Sequence, residues 1–414
     1  MNDGPKLTWF GKLILLVMIG GCAVGAYFAF QSRGKSAPST NPSATTASVQ
    51  PTGGPATAPP TASNPAPPNS EAIQIGIAYG TEKKRWMEWA VEEFRKTPEG
   101  GGISVDLIGL GSIEAAQAII GGDQRIHVWS PASSLYKETF VRDFEAKQGR
   151  QPIDKEEILA LTPMVFVSWA ERATFFEKKY GAYTFPNISA ALKEKSGWAS
   201  IAQKPEWGFF KFAHTHPNQS NSGLLALVLM AYDYHGKMKN LTLADILDSK
   251  FQSWLIDLET SVTDLPNSTG NMMKDMVLKG PSTYDTIFVY ESVAIDYLKN
   301  AEGRWGELHV SYPRFNLWSD NPYYVLNTPW SDKRHRQASQ AFLNFLMSEP
   351  AQKMALTHGF RPGNTNVPII AEGSPFQAYQ KFGLKVDLSS VCEAPKAEIL
   401  HNLLVGWNNN VRNR

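Results

Sequence analysis

Two cysteines in 414 residues, Cys22 and Cys392, leave no room for a disulfide framework or for a zinc centre built on thiolates. An excess of either charge is missing too. The 40 basic and 39 acidic residues give a net charge of +1, so no overall field draws in nucleic acid or an acidic membrane surface. The Gly-x-Ser-x-Gly elbow, the P-loop, the His-Glu-x-x-His pair and the dinucleotide-binding glycine fingerprint are all absent. His214 and His216 lie two apart and share one face of a strand end, but no third ligand accompanies them. No metal, no cofactor and no enzymatic activity are expected.

What the chain has in quantity is aromatic and apolar side chains, with 12 Trp, 21 Phe and 14 Tyr to pack a large core. Its longest uncharged apolar run is LILLVMIGGCAVGAYFAF, residues 13–30, preceded by Lys6 and Lys12. As a helix it measures about 27 Å, close to the ~30 Å of a bilayer core. Ile19-Gly20-Gly21-Cys22 also fits a lipidation site at Cys22, but the apolar run continues for eight residues beyond it. Residues 1–35 are therefore read as a signal anchor, with a lipoprotein signal as the alternative. Residues 36–70 carry no charge and nine prolines, a composition that stays extended because it buries too little to fold. This stalk places a globular part, 71–414, outside the cytoplasm, at the cell surface or in a periplasm.

In the globular part strands alternate with helices. IQIGIAY (73–79), ISVDLIGL, HVW (127–129), MVFVSW (164–169) and TIFVY (286–290) read as strands, and WGFFKFA (207–213) alternates as a strand does. Met87, Ala90, Val91 and Phe94 form one helical stripe, as do Ala338, Ala341, Phe342, Phe345 and Leu346. LLALVLMAY, apolar all round, reads as a buried helix. The pattern predicts α/β layers around a mainly parallel sheet, with ligands gathering at the loops beyond the strands' carboxyl ends. Those loops are GTE (80–82), GLGS (109–112), SPASS (130–134) and THPNQSNSG (215–223), each with a small hydroxyl residue near a helix start. One such residue is a cap; four loops of the same kind point to a site.

FAHTHPNQSNSGLLALV, TIFVYESVAIDYL, LWSDNPYYVLNTPW and AFLNFLMSEPAQKMALTHGFRPGN, in this order and spacing, resemble the type II periplasmic binding proteins. More narrowly, they are similar to the extracellular solute-binding domains that often precede a von Willebrand factor A domain. The sequence stops at Arg414, just after LLVGW, so no such second module is expected. The resemblance implies two α/β lobes, about 71–165 plus 325–414 and about 166–324, with MVFVSW and NPYYVLN as the crossing strands and ligand held between the lobes. Carried onto this chain, the ligand-facing positions are Thr81, Gly111, Ser112, Ser130, Thr215, Ser220, Asn221, Ser222, Tyr290 and Glu291. Hydroxyls and helix N–H groups suit a dehydrated oxyanion, and a polar neutral solute such as a sugar or short peptide stays open. No arginine in the loops supplies a fork for a carboxylate. Glu291, if it faced the cleft, would repel a fully ionised anion. The implied function is a membrane-anchored receptor for an ABC-type importer. The alternative is an anchored sensor or scaffold that signals to a partner without transport.

Overall fold

The computed structural model describes residues 72–301 and 303–412. The anchor and stalk expected before residue 71 lie outside them, and among the described residues no helix is long and apolar enough to cross a membrane.

Eleven strands occur among the described residues: β1 Ile73–Tyr79, β2 Ile103–Gly109, β3 Val128–Ser130, β4 Ile153–Ile158, β5 Ala160–Leu161, β6 Met164–Trp169, β7 Phe212–Ala213, β8 Thr286–Tyr290, β9 Leu308–Ser311, β10 Pro322–Leu326 and β11 Arg361–Pro362. They make two principal sheets. The first has the order β2-β1-β3-β10-β4 and the second β7-β8-β6-β9, and β5 and β11 form a small ribbon. β1 runs parallel to β2 and β3, whereas β10 is antiparallel to β3 and β4. In the second sheet only β7 and β8 are parallel. The sheets are thus mixed rather than mainly parallel. β10 returns from the second lobe and enters the first sheet against the direction of β3.

Each sheet has its own core. Ile75, Ile77 and Val128 pack with Trp86, Phe94, Phe342 and Leu346 in the first lobe. Phe166, Phe212 and Phe288 pack with the helix Asn221–His235 in the second. That helix is buried along residues 221–233, as its all-round apolarity predicts. Gly223 lets it press onto the preceding loop: a Cβ there would lie 2.2 Å from the Thr215 carbonyl oxygen.

The connections between the lobes differ from the expected ones. MVFVSW lies within the second sheet as β6, and NPYYVLN contributes β10 to the first. The links proper are the short stretches between β4 and β6 and between β9 and β10. They pair with each other where Thr162 and Ser319 exchange backbone bonds of 2.9 and 2.8 Å. The C-terminal part also differs. Val367, Phe382, Cys392, Leu400, Leu403 and Trp407 join the core of the second lobe, not the first. An apolar stripe tells that a helix is buried but not against which neighbour. WGFFKFA is strand only at Phe212–Ala213, because Pro205–Trp207 turns as a 3₁₀ helix.

Candidate functional site

The loops that end β1, β2, β3 and β8 meet the start of the helix Asn221–His235 where the lobes face each other. β1 ends at Tyr79, Gly80 bonds the Ser130 carbonyl at 3.1 Å, and a 3₁₀ turn, Thr81–Lys83, leads into the helix Lys84–Phe94. From the other lobe, β8 delivers Tyr290 and Glu291. The lobes touch directly. The Thr81 hydroxyl lies 3.2 Å from that of Ser268, and a Cβ on Gly111 would sit 2.2 Å from the Gln219 carbonyl oxygen. Any larger residue at 111 would hold the lobes apart. At the rim, Arg85 reaches Asp296 at 3.7 Å and the Tyr297 ring at 5.3 Å from the second lobe.

Between these contacts lies a cavity of ≈ 830 Å³. Tyr79, Thr81, Glu82 and Gly111 line it from the first lobe, and Asn267, Ser268, Asn271 and Tyr297 from the second. Behind this lining lies a layer of buried polar side chains. Tyr290 is buried, accepts a 3.0 Å bond from the Asn221 amide, and has Ser319 and Ser222 beside its hydroxyl. Burial, and then the Glu82 carboxylate, push its phenol far above the ordinary range. Among the described residues two buried side-chain atoms of this layer, Ser130 Oγ and Asn221 Oδ1, have no hydrogen-bond partner, and Ser319 Oγ has none besides the Tyr290 hydroxyl next to it. Buried polar atoms are normally paired, and these lie behind the facing loops of both lobes.

Not every residue singled out from the sequence sits on this surface with a free group. Ser112 accepts a 3.0 Å bond from the Ala132 N–H and braces the first lobe. Thr215, Ser220 and Ser222 form a hydroxyl cluster with Thr269, with Oγ separations of 2.5 Å for Thr215–Ser222, 3.1 Å for Ser220–Ser222 and 2.6 Å for Ser222–Thr269. Their hydroxyls are spent holding the loop. Glu291 is not an open carboxylate. Arg361 grips it with two bonds of 2.9 Å, and the Tyr312 hydroxyl donates a third. Burial pushes the Glu291 carboxyl up, against the pull of Arg361. The pair joins the start of a second-lobe helix to β11 beside the hinge, so it ties the lobes rather than repelling an anion.

Two residues of this region escaped the sequence reading. Lys83 has no exposed surface, and its ammonium group bonds Glu82 at 2.7 Å, the Asn321 side-chain oxygen at 3.0 Å and the Pro131 carbonyl at 3.1 Å. Glu82, only 5% exposed along its side chain, lies over Gly80 and lines the cavity. In the sequence they are two of seven charged residues among residues 82–93 and look like a solvated helix face. The signal available was their position directly after the end of a buried strand.

The C-terminal helix Ala397–Trp407 stands behind the loop His214–Asn221. Trp407 donates a 2.6 Å bond to Glu259, whose other oxygen lies 2.9 Å from His214 Nε2, and Asn408 pairs with Asn218 at 2.6 and 3.3 Å. Burial disfavours charge on His214, but the Glu259 carboxylate outweighs it and raises the imidazole pKa. The two histidines of this loop therefore serve support; among the described residues no cluster of three metal-binding side chains occurs.

Comparison with known proteins follows this geometry. The family model for bacterial extracellular solute-binding proteins matches residues 75–361. Solved structures share the fold at low identity. The sulfate-binding protein SubI from Mycobacterium tuberculosis H37Rv is 15% identical with a TM-score of 0.54, covering 81% of this chain and 97% of its own. A periplasmic thiamin binding protein is 11% identical with a TM-score of 0.57, covering 82% and 96%. AfuA from Actinobacillus pleuropneumoniae, solved with fructose-6-phosphate, is 14% identical with a TM-score of 0.54, covering 82% and 99%. No curated protein matches the chain.

Proposed function

Because this chain belongs to the bacterial extracellular solute-binding protein family, we propose that it traps a small polar solute between its two lobes and hands it to an ABC-type importer, held near the membrane by residues 13–30. The single observation that carries the trap is the polar layer behind the cleft. Ser130 from the first lobe and Asn221 from the second each bury a polar atom that has no partner among the described residues, and Ser319 joins them from a link between the lobes. A solute reaching all three satisfies groups on both lobes at once, and so favours the closed arrangement over an open one. Of the positions expected from the sequence, Thr81, Ser130, Asn221 and Tyr290 are proposed to face the solute, with Gly111 allowing closure. Ser112, Thr215, Ser220, Ser222 and Glu291 are proposed to hold the walls in place.

Small-angle scattering tests this directly. Protein purified from its own host, and the same protein after exhaustive dialysis, are compared while native mass spectrometry records the trapped mass. The solute-loaded form is expected to have the smaller radius of gyration. Equal scattering curves with a bound solute present would refute the trap. An importer is supported if purification from the host membrane brings down a permease with its ATPase.

A further inference from the structure

We propose that the solute of this cleft is electrically neutral, rich in hydroxyl groups and larger than an inorganic oxyanion; this rests on the cleft being a solute trap. Charge is the first ground. Four carboxylates (Glu82, Glu88, Glu114 and Asp296) face three cationic groups (Lys84, Arg85 and Lys274) around the cavity. Lys83, behind Glu82, brings the count to four against four. Its three protons are already taken by Glu82, Asn321 and Pro131, so it offers an anion no free donor. The Glu82 carboxylate lines the cavity and is almost wholly buried along its side chain. A dianion entering there meets like charge in a low dielectric.

The second ground is the kind of partner that is missing. The unpaired atoms are one hydroxyl, Ser130 Oγ, and one amide oxygen, Asn221 Oδ1, with the Ser319 hydroxyl beside Tyr290. Behind the lining, then, stand one unpaired acceptor and hydroxyls that both donate and accept. A solute hydroxyl both donates and accepts, so it can satisfy each of these; a fully ionised oxyanion, which only accepts, leaves Asn221 Oδ1 without a partner. Size is the third ground. A cavity of ≈ 830 Å³ lies in the range of sites for organic ligands, whereas an oxyanion displaces only a few waters of about 30 Å³ each.

The test uses full-length protein stripped by dialysis and the small-molecule extract of its source organism, separated by ion exchange into anionic, cationic and neutral fractions. The neutral fraction is expected to raise the melting temperature and shrink the scattering radius, and periodate cleavage of its vicinal diols to abolish both effects. Activity confined to a charged fraction, or surviving periodate, overturns the proposal while leaving the trap intact. Inactivity of all three fractions overturns the trap itself. Ser130→Ala removes an unpaired hydroxyl, so the empty variant should melt no lower than wild type. The neutral fraction should then half-saturate at about tenfold higher concentration, the loss of one buried hydrogen bond. An unchanged half-saturation point sinks the assignment of Ser130 to the solute.

Discussion

A lysine with no surface in water keeps its charge only if each of its three protons finds an oxygen, and Lys83 meets that condition. Burial lowers its pKa, and Glu82 works against that shift. The pair also joins the cleft to the hinge. Asn321, which takes one Lys83 proton, bonds the Ala160 and Ser319 carbonyls at 3.3 and 3.0 Å, one on each link between the lobes. Lys83→Met leaves the Glu82 carboxylate buried without its cation, which costs about 3–5 kcal/mol of stability. Adding Glu82→Gln should return a large part of it. Urea denaturation of the single and double variants checks this, and equal stability of the two would show that Glu82 reaches solvent unaided. Cys392 is the opposite kind of buried group: burial, then Asp233, push its thiol up to about 12. It is expected to resist iodoacetamide in the folded protein and to react on unfolding.

At the scale of elements, β3 illustrates how a strand start is held by a histidine. His127 accepts the Gly76 N–H at 3.1 Å through Nδ1, and its ring stacks on His335 at 4.2 Å. Burial, then the neighbouring His335, lower its pKa to about 4. The sign follows: a depressed imidazole stabilises the fold above its ordinary value near 6.5, and that contribution is lost as pH falls through about 4. Melting temperature is expected to drop across this window, and His127→Gln, which still offers Gly76 an acceptor, to flatten the drop. An unchanged slope in the variant would place the acid sensitivity elsewhere. Most elements of the fold were legible before the structure, because β1, β2, β6 and β8 are buried and apolar or alternating. β4 was not. IDKEEI is exposed along residues 154–158, and its charges guard the sheet edge, a role that leaves no hydrophobic period to read. The site was half legible. Small hydroxyl residues at helix starts marked the cleft loops, but the sequence cannot tell a free hydroxyl such as Ser130 from a spent one such as Ser222. It also hid Arg361, a partner 70 positions from Glu291 that β11 and the hinge bring together.

For the whole molecule the open question of mechanism is whether the solute enters only when the lobes part. In the structure Thr81 and Ser268 meet across the cleft, their side-chain oxygens 3.2 Å apart. Cysteines at both positions place two sulfurs within a small rotation of the ~2.05 Å bond of a disulfide. The oxidised Thr81→Cys/Ser268→Cys variant is therefore a closed form held covalently, independent of any solute. Gly111 against Gln219 and Arg85 against Asp296 hold neighbouring parts of the same edge together. Oxidised protein stripped of solute is expected to show the compact scattering curve from the outset and to take up solute far more slowly than the reduced form. Reduction should restore both the larger radius and normal uptake. Loading with solute before oxidation should give the reverse, a complex that does not release its solute on dilution. Equal uptake by the oxidised and reduced forms would mean that the solute reaches its site without lobe opening, and the hinge at Thr162 and Ser319 would then serve only to connect two rigid halves.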